Sequence, residues 1–484
     1  METFILTGIA LSMGGTFLAG LIGLLGRKAH RWSGIVLALA TLVGAVSALA
    51  FLLGDGQMPV FSTLPLVESF KLDTLSAVFL LLVNGVACPV ALYGISYFEH
   101  EADHIHLPLT NVLTALFIGG MQGVLLSSHS VAFILFWEIM SMASFFLIMA
   151  HKKQSSLSAA LFYLVMTHLG AGALIAGFFL SAGGELFMPF EAMRQNLETM
   201  LPAGLVGVPL LLIFMLFFFG FGSKAGLVPF HAWLPEAHPE APSPISALMS
   251  GVMLKVAIYG LLRVVITILP TPALSWGLIL IVFGLLSALY GVLYAIIHRD
   301  LKRILAFSSI ENIGLITLMI GAMLFSNSMG WTELGNLFLG IALFHCLAHA
   351  VFKAGLFMGA GAILHEVHTG NIEKMGGLAQ RMPKLALAML ILSLGAAGLP
   401  PLGAFTSEWL FIHQLMSGIG TGVPLAQGVF VIMLASVALV AGLLSFFTPC
   451  SLPLVPGYLS YVAGMAGTES EVARELAGGS PARR

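Results

Sequence analysis

SKAGLVPFHAWLPEAHPEAPSP, residues 223–244, interrupts an apolar run whose core is LLLIFMLFFFG at 210–220. The run has the character of a membrane helix, yet Lys224 sits inside it and Gly226 and Pro229 follow at once. Proline removes a backbone donor and breaks a helix. Freed backbone at membrane depth is tolerated only against protein or a watery cavity. A second stretch, GAAGLPPLGAFTSEWL at 395–410, has the same build. Each has Ala-Gly-Leu, then proline, then an aromatic residue, then Trp-Leu, and each carries an ionisable residue, Lys224 or Glu408. Paired interrupted spans in two halves of a chain point to a transport site between inverted repeats.

Composition agrees with a membrane setting. The chain has 484 residues, 58% hydrophobic and 9% charged, with a mean hydropathy of +1.01. Soluble domains carry about 25% charge. The net charge of −2 gives no footing for nucleic acid. Cys88, Cys346 and Cys450 are far apart, which excludes a disulfide framework, an iron–sulfur motif and a zinc motif. Glu2 precedes the first apolar segment and Arg27, Lys28 and Arg31 follow it. That charge order is the reverse of a cleaved signal peptide and reads as a retained helix.

Spans of about 20 apolar residues fall near 3–25, 33–53, 73–97, 107–127, 129–150, 156–182, 207–229, 243–268, 274–297, 303–325, 335–364, 383–414 and 424–448, with a shorter run at 451–467. The expected fold is an all-α polytopic membrane protein of about 13–14 transmembrane helices. Its two inverted five-helix repeats are broken near Lys224 and Pro400. The divisions are N-terminal helices 1–106, repeats 107–268 and 269–425, C-terminal helices 426–467 and a disordered tail 468–484. With the N-terminus outside, inward loops hold 11 Lys and Arg residues and outward loops hold only Lys71 and Arg194.

Inside the spans lie Glu138, His168, Lys224, Lys255, Arg263, Glu311, His345, His349, Lys353 and Glu408. Each charge at a helix centre costs roughly 2.5–3.5 kcal/mol on insertion scales. A simple anchor has no use for such residues, so they read as a polar track, with helix–helix ion pairing as the structural alternative. Arg263 is nearest a helix end and reads as a snorkelling or structural cation. The central cations are lysines, which lose a proton when desolvated, as arginine does not. A nearby carboxylate makes such a lysine a switchable proton store. His345, His349 and Lys353 are four apart and share one helix face over about 12 Å. Histidine accepts a proton at one nitrogen while donating from the other. Zinc binding by the histidine pair is the rival reading, and Lys353 next in line repels a cation. His168 in FYLVMTHLG reads equally as a relay member or a hydrogen-bonded core histidine.

At these residues a family emerges. KAGLVPFHAWLPEAHPEAPSPISALMSGVMLKVAIYGLLR (224–263) resembles the signature of the proton-translocating antiporter-like subunits. That family includes the large membrane subunits of complex I, Mrp-type sodium/proton antiporters and group 4 membrane-bound hydrogenases. WEIMSMASF (137–145), DLKRILAFSSIENIGL (300–315), FHCLAHAVFKAGLFMGAGAI (344–363) and GLPPLGAFTSEWL (398–410) extend the resemblance in the family's order from about 70 to 415. The glutamate and asparagine of SSIENIG resemble the branch of hydrogenase-4 component B and formate hydrogenlyase subunit 3.

The resemblance implies a role for each position. Glu138 would be the glutamate of the fifth helix, paired with Lys224 on the broken seventh. Lys255 would be the ionisable residue of the eighth helix, Lys353 the centre of the eleventh with His345 and His349, and Glu408 the ionisable residue of the broken twelfth. His168, Glu311 and Arg263 remain open between relay and structure. The resemblance implies no cofactor of the chain's own, no catalytic centre and no metal. It also implies other membrane subunits of a hydrogenase or complex-I-like assembly as partners in a cell membrane, with H⁺ or Na⁺ as the ion. The motifs agree, since there is no GxGxxG and no P-loop. From about 430 the chain instead resembles the start of a thiol–disulfide carrier of cytochrome c biogenesis, with Pro449–Cys450 at the usual place of its first cysteine. The second cysteine helix of that family is missing, so closing helices are the alternative. A scaffold that has lost transport is the remaining class, and joint retention of Glu138, Lys224, Lys255, Lys353 and Glu408 argues against it.

Overall fold

A computed structural model describes residues 2–54, 70–185, 187–200, 210–270, 273–420 and 422–447. Six long helices open the chain: α1 Glu2–Leu24, α2 His30–Leu53, α3 Thr74–His100, α4 Leu107–Leu126, α5 Ser130–Ile148 and α6 Gln154–Ser181. They are followed by α7 Phe190–Met200, α8 Leu210–Ala225, α9 Leu234–Glu240, α10 Ser243–Leu248 and α11 Leu254–Arg263. The second half holds α12 Leu274–Ile297, α13 Leu301–Ser328, α14 Thr332–Val367, α15 Leu378–Arg381, α16 Pro383–Ala396, α17 Gly403–Ile419 and α18 Pro424–Phe447. Among the described residues eleven helical stretches are long and apolar enough to cross a membrane, and α16 and α18 supply two shorter apolar ones. The chain is an all-α polytopic membrane protein. The run at 451–467, the tail and the Pro449–Cys450 pair lie outside the described residues.

Helix starts are written into the sequence. Asp73 accepts a hydrogen bond from the Ser76 backbone N–H at 2.9 Å, and Asp300 from that of Arg303 at 2.9 Å. Both are standard caps for otherwise unpaired N–H groups. The two expected breaks are present. α8 ends at Ala225, where Gly226 takes φ 78°. The twelfth span divides between Ala396 and Gly403, with Gly398 at φ 64°. Only glycine adopts these angles freely. The broken spans are five spans apart.

Two features depart from the expected spans. The segment 190–200 lies outside all of them and forms α7, whose Phe190, Met193 and Leu197 are buried at helical spacing. The span 243–268, expected as one helix, contains wide turns at Met249–Met253 and Val264–Ile268. There the Leu254 and Leu269 N–H groups reach five residues back, to the Met249 and Val264 carbonyls.

The centre of the bundle is made of two spans. Residues 241–265 are buried throughout, as are residues 304–326 of α13. At the periphery α1 and α2 expose Leu11, Phe17 and Leu39, the surface a lipid-facing helix presents. α12 and α13 are in backbone contact along glycines seven residues apart, at 277, 284 and 291 on one helix and 314 and 321 on the other. A Cβ at Gly291 would lie 2.7 Å from the Glu311 Cα. Small residues permit such close approach in membranes, and here the approach fixes the helix that carries Glu311.

Candidate functional site: a buried polar track

The break after Ala225 leaves Lys224 on the last turn of α8, where the helix dipole favours a cation. Its side chain is buried, and Nζ donates to Ser141 Oγ at 2.8 Å and to the Tyr163 hydroxyl at 2.6 Å. Nζ also lies 4.7 Å from the centre of the Tyr163 ring. The Tyr163 hydroxyl is 2.5 Å from Ser144 Oγ and 3.6 Å from Met253 Sδ, inside the first wide turn. Trp233 Nε1 donates to the Ser223 carbonyl at 2.7 Å and so satisfies an acceptor freed by the break.

The expected direct pair between Glu138 and Lys224 is not formed. Ser141 of α5 meets the lysine, and Ser144 meets Tyr163, whereas the Glu138 carboxylate turns to His168, with Oε2 3.3 Å from Nε2. Glu138 Oε1 is buried with no protein hydrogen-bond partner. His168 is half exposed and is tied to Glu138, so it is neither alone nor a core histidine.

Lys255 stands on the first turn after the wide turn. Its Nζ donates to the Ser250 carbonyl at 2.6 Å. Ser250 Oγ meets Ser309 Oγ on α13 at 2.7 Å, and Ser309 donates to the Leu305 carbonyl at 2.8 Å. That carbonyl also accepts from Lys353 Nζ on α14 at 3.2 Å. The wide turn, α13 and α14 thus hold Lys255 and Lys353 on the two sides of the Ser250–Ser309 pair.

His345, His349 and Lys353 are fully buried on one face of α14, with the two imidazoles parallel and 6.4 Å apart. His345 Nδ1 is 2.7 Å from Ser407 Oγ on α17, and Nε2 is 3.1 Å from Asn312 Oδ1 on α13. Asn312 Nδ2 donates to the Ser308 carbonyl at 2.8 Å, so its oxygen faces the ring and a neutral His345 carries its hydrogen on Nε2. Neither ring nitrogen of His349 has a protein partner. Glu311 accepts from Ser308 Oγ at 3.3 Å, and its other oxygen is buried without a protein partner. Glu408 lies one residue beyond Ser407, half-buried against the second break, where a Cβ on Gly398 would come within 2.9 Å of its Oε2. Among the described residues no group of three His, Cys, Asp or Glu side chains is arranged to hold a metal.

Arg263 does not snorkel. It is buried and grips Asp73 with both terminal nitrogens, at 2.5 and 2.8 Å, while Nε lies 3.2 Å from the Tyr259 hydroxyl. Asp73 lies just before α3. Burial pushes its carboxyl up, but the Arg263 fork and the Ser76 N–H outweigh this and hold it below the ordinary carboxylate range. The pair therefore stabilises the fold above the usual carboxylate value of about 3.9. That stabilisation disappears as pH falls through the depressed folded value. Asp73→Asn is expected to cost about 1–3 kcal/mol, the cost of an orphaned buried arginine reduced for the carboxylate's partial exposure. A lower melting temperature in detergent at neutral pH, converging on wild type as pH falls through that depressed value, would check it.

The residues that sequence reasoning missed are the uncharged links Ser141, Ser144, Tyr163, Ser250, Ser309, Asn312 and Ser407. Their signal was present. The serines of WEIMSMASF follow Glu138 at helical spacing, and Tyr163 stands in the stretch quoted for His168. His238 was also missed; it is buried and stacks on Phe357 with its ring centroid at 5.0 Å.

The sequence model described as "NADH:quinone oxidoreductase/Mrp antiporter, TM" matches residues 127–449, and that described as "NADH-Ubiquinone oxidoreductase (complex I), chain 5 N-terminus" matches 59–105. The chain belongs to the NADH:quinone oxidoreductase/Mrp antiporter family. This antiporter-family chain is 38% identical to "Hydrogenase-4 component B" of Escherichia coli (strain K12), over 72% of its length and 51% of the relative's. It is 30% identical to "Formate hydrogenlyase subunit 3" of the same organism, over 82% and 62%. It is 31% identical to "Putative antiporter subunit mnhA2" of Staphylococcus epidermidis, over 81% and 48%. The chain spans about half the length of the curated relatives it matches. Its fold is similar to a chain in the structure of the membrane-bound sulfane sulfur reductase, an archaeal respiratory membrane complex. The TM-score is 0.75 at 20% identity, covering 96% of this chain and 95% of that one. A chain of the Mrp complex from Dietzia sp. DQ12-45-1b gives 0.73 at 22% identity, covering 92% and 80%. The family match runs through α18, the start of the segment that resembles a thiol–disulfide carrier.

Proposed function

We propose that this antiporter-family chain moves protons as one member of a multisubunit membrane redox complex of the group 4 hydrogenase or formate-hydrogenlyase type. The single observation that carries the proposal is that Lys255 and Lys353, both buried, are held on the two sides of one serine pair, through the Ser250 and Leu305 carbonyls. Such an arrangement at bilayer depth costs too much for an anchor. It joins two ammonium groups that gain and lose protons, through a pair of serine hydroxyls that rotate and two backbone carbonyls that only accept. The resemblance to hydrogenase-4 component B supports the hydrogenase setting.

In this reading a proton taken up from the basic, inward end resides on Lys224, cradled by Ser141 and Tyr163. Glu138 acts from beyond the contact distance, switching its carboxylate between His168 and the lysine. Lys255 and Lys353 exchange the proton when their ammonium groups leave the Ser250 and Leu305 carbonyls, which hold them on either side of the Ser250–Ser309 hydroxyl pair but do not themselves relay it. His345 and His349 carry it along α14 towards Glu408, where it leaves to the outside. The unpartnered nitrogens of His349 are the position at which a proton is held in transit. Glu311 on α13 adjusts the charge around Lys353. Repeats 107–268 and 269–425 would each hold one broken span, with the N-terminus outside. Partner membrane subunits would supply the redox energy.

The test uses the complex purified with its native partner subunits and reconstituted in vesicles. Glu138→Gln is expected to lower the proton-pumping rate about tenfold, less than the roughly 10²–10⁴-fold of a directly positioned proton-transfer group, because the carboxylate acts from beyond contact with Lys224. Full pumping in this variant, or pumping of Na⁺ without H⁺, would sink the proposal.

A further inference from the structure

We infer that the chain binds an anionic phospholipid in a groove at the basic ends of α4, α5 and α6. A cavity of about 300 Å³ opens there. Lys152 and Lys153 stand at its mouth, and Leu109, Leu113, Phe146 and Leu157 line its wall. Both lysines are exposed, and neither has an ion-pair partner among the described residues. Lys152 has φ 53°, a left-handed angle that favours glycine or asparagine in a tight connection. The connection holds a cation at this strained place. Lys153 immediately precedes the 28-residue α6 and leaves its first turn without a side-chain cap. The unpaired N–H groups of that turn add positive potential beside the lysines.

The apolar wall decides between anions. Leu109, Phe146 and Leu157 remain partly exposed along the groove, below the charged mouth. A free phosphate would satisfy the lysines and leave this wall bare. A zwitterionic lipid would cover the wall but bring its own cation beside the two lysines, with no net charge to match them. A phospholipid with net negative charge matches both parts, with its phosphate at Lys152 and Lys153 and an acyl chain against the leucines. Basic pockets between transmembrane helices recognise anionic headgroups in this way.

The full-length chain in detergent is titrated with phosphatidylglycerol, phosphatidylcholine and inorganic phosphate, with bound lipid counted by native mass spectrometry. Phosphatidylglycerol is expected to remain bound, and the double variant Lys152→Gln, Lys153→Gln to weaken it about tenfold, in line with two surface cations acting on one headgroup. Leu109→Trp, which fills the groove and keeps both lysines, is expected to weaken it as well. Equal binding of phosphatidylcholine would overturn the inference, as would displacement of the lipid by millimolar phosphate. Indifference of lipid binding to both variants would do the same. Cross-linking of Lys152 to a partner protein that seals the groove in the assembled complex would also overturn it.

Discussion

Replacing Lys353 with methionine is expected to reduce proton pumping in reconstituted vesicles by about a hundredfold or more, the scale on which a positioned proton-transfer group acts. Lys353 stands on α14 across the Ser250–Ser309 pair from Lys255, one turn from His349. Methionine keeps the length and apolar body of the side chain and removes the group that titrates, so assembly should survive. Lys353→Arg separates charge from proton transfer. It retains the cation, yet a guanidinium does not give up its proton, so it should pump no better than the methionine variant. Pumping restored by arginine would mean that Lys353 serves as a fixed charge. The measurement is vesicle acidification per electron transferred, with the content of each subunit checked on the same preparation.

The second large effect concerns packing. Gly291→Ala adds one methyl group to α12, yet it should destabilise the chain by about 1–3 kcal/mol, as overfilling a tight core does. The new Cβ would press on the backbone of Glu311, which no rotamer change can relieve. In an open helix the same change stabilises by up to about 1 kcal/mol, so the sign is diagnostic. Gly340→Ala on α14 is the control, because nothing lies within 4 Å of the added methyl. It should melt at or slightly above the wild-type temperature in detergent, while Gly291→Ala melts well below it. Because α13 carries Glu311 and Asn312, the packing variant should also slow pumping. Melting of Gly291→Ala at the wild-type temperature would show that the two helices can separate freely.

The spans were legible because a bilayer leaves the backbone few choices and writes them as long apolar runs. Gly226 with Pro229, and Gly398 with Pro400, announced the breaks by their backbone chemistry. The helix α7 was hidden because FEAMRQNLETM is polar overall and buries only one narrow stripe. The wide turns in 243–268 were hidden because MSGVM and VVITI contain no residue type that demands them. In the track, charged residues stood out against apolar surroundings, and four-residue spacing put His345, His349 and Lys353 on one face, where the structure has them. The uncharged links did not stand out, because serine and tyrosine are ordinary in membrane helices. Glu138 and Lys224 were expected to touch. Contact depends on which way a side chain leaves its helix, and Ser141 rather than Glu138 faces the lysine.

The ten-residue segment Leu254–Arg263 has a wide turn before it and another after it. A wide turn holds one residue more than an ordinary α-helical turn. Closing one of the two while widening the other would slide the segment by a single register step, about 1.5 Å of translation and 100° of rotation. The flanking parts of the span need not follow. The Asp73 grip on Arg263 resists such a step from one end, and the carbonyl hold on Lys255 is renewed or lost at the other. Slack of this kind allows an ammonium group to change neighbours inside a rigid bundle, with the whole displacement confined to two or three helical turns.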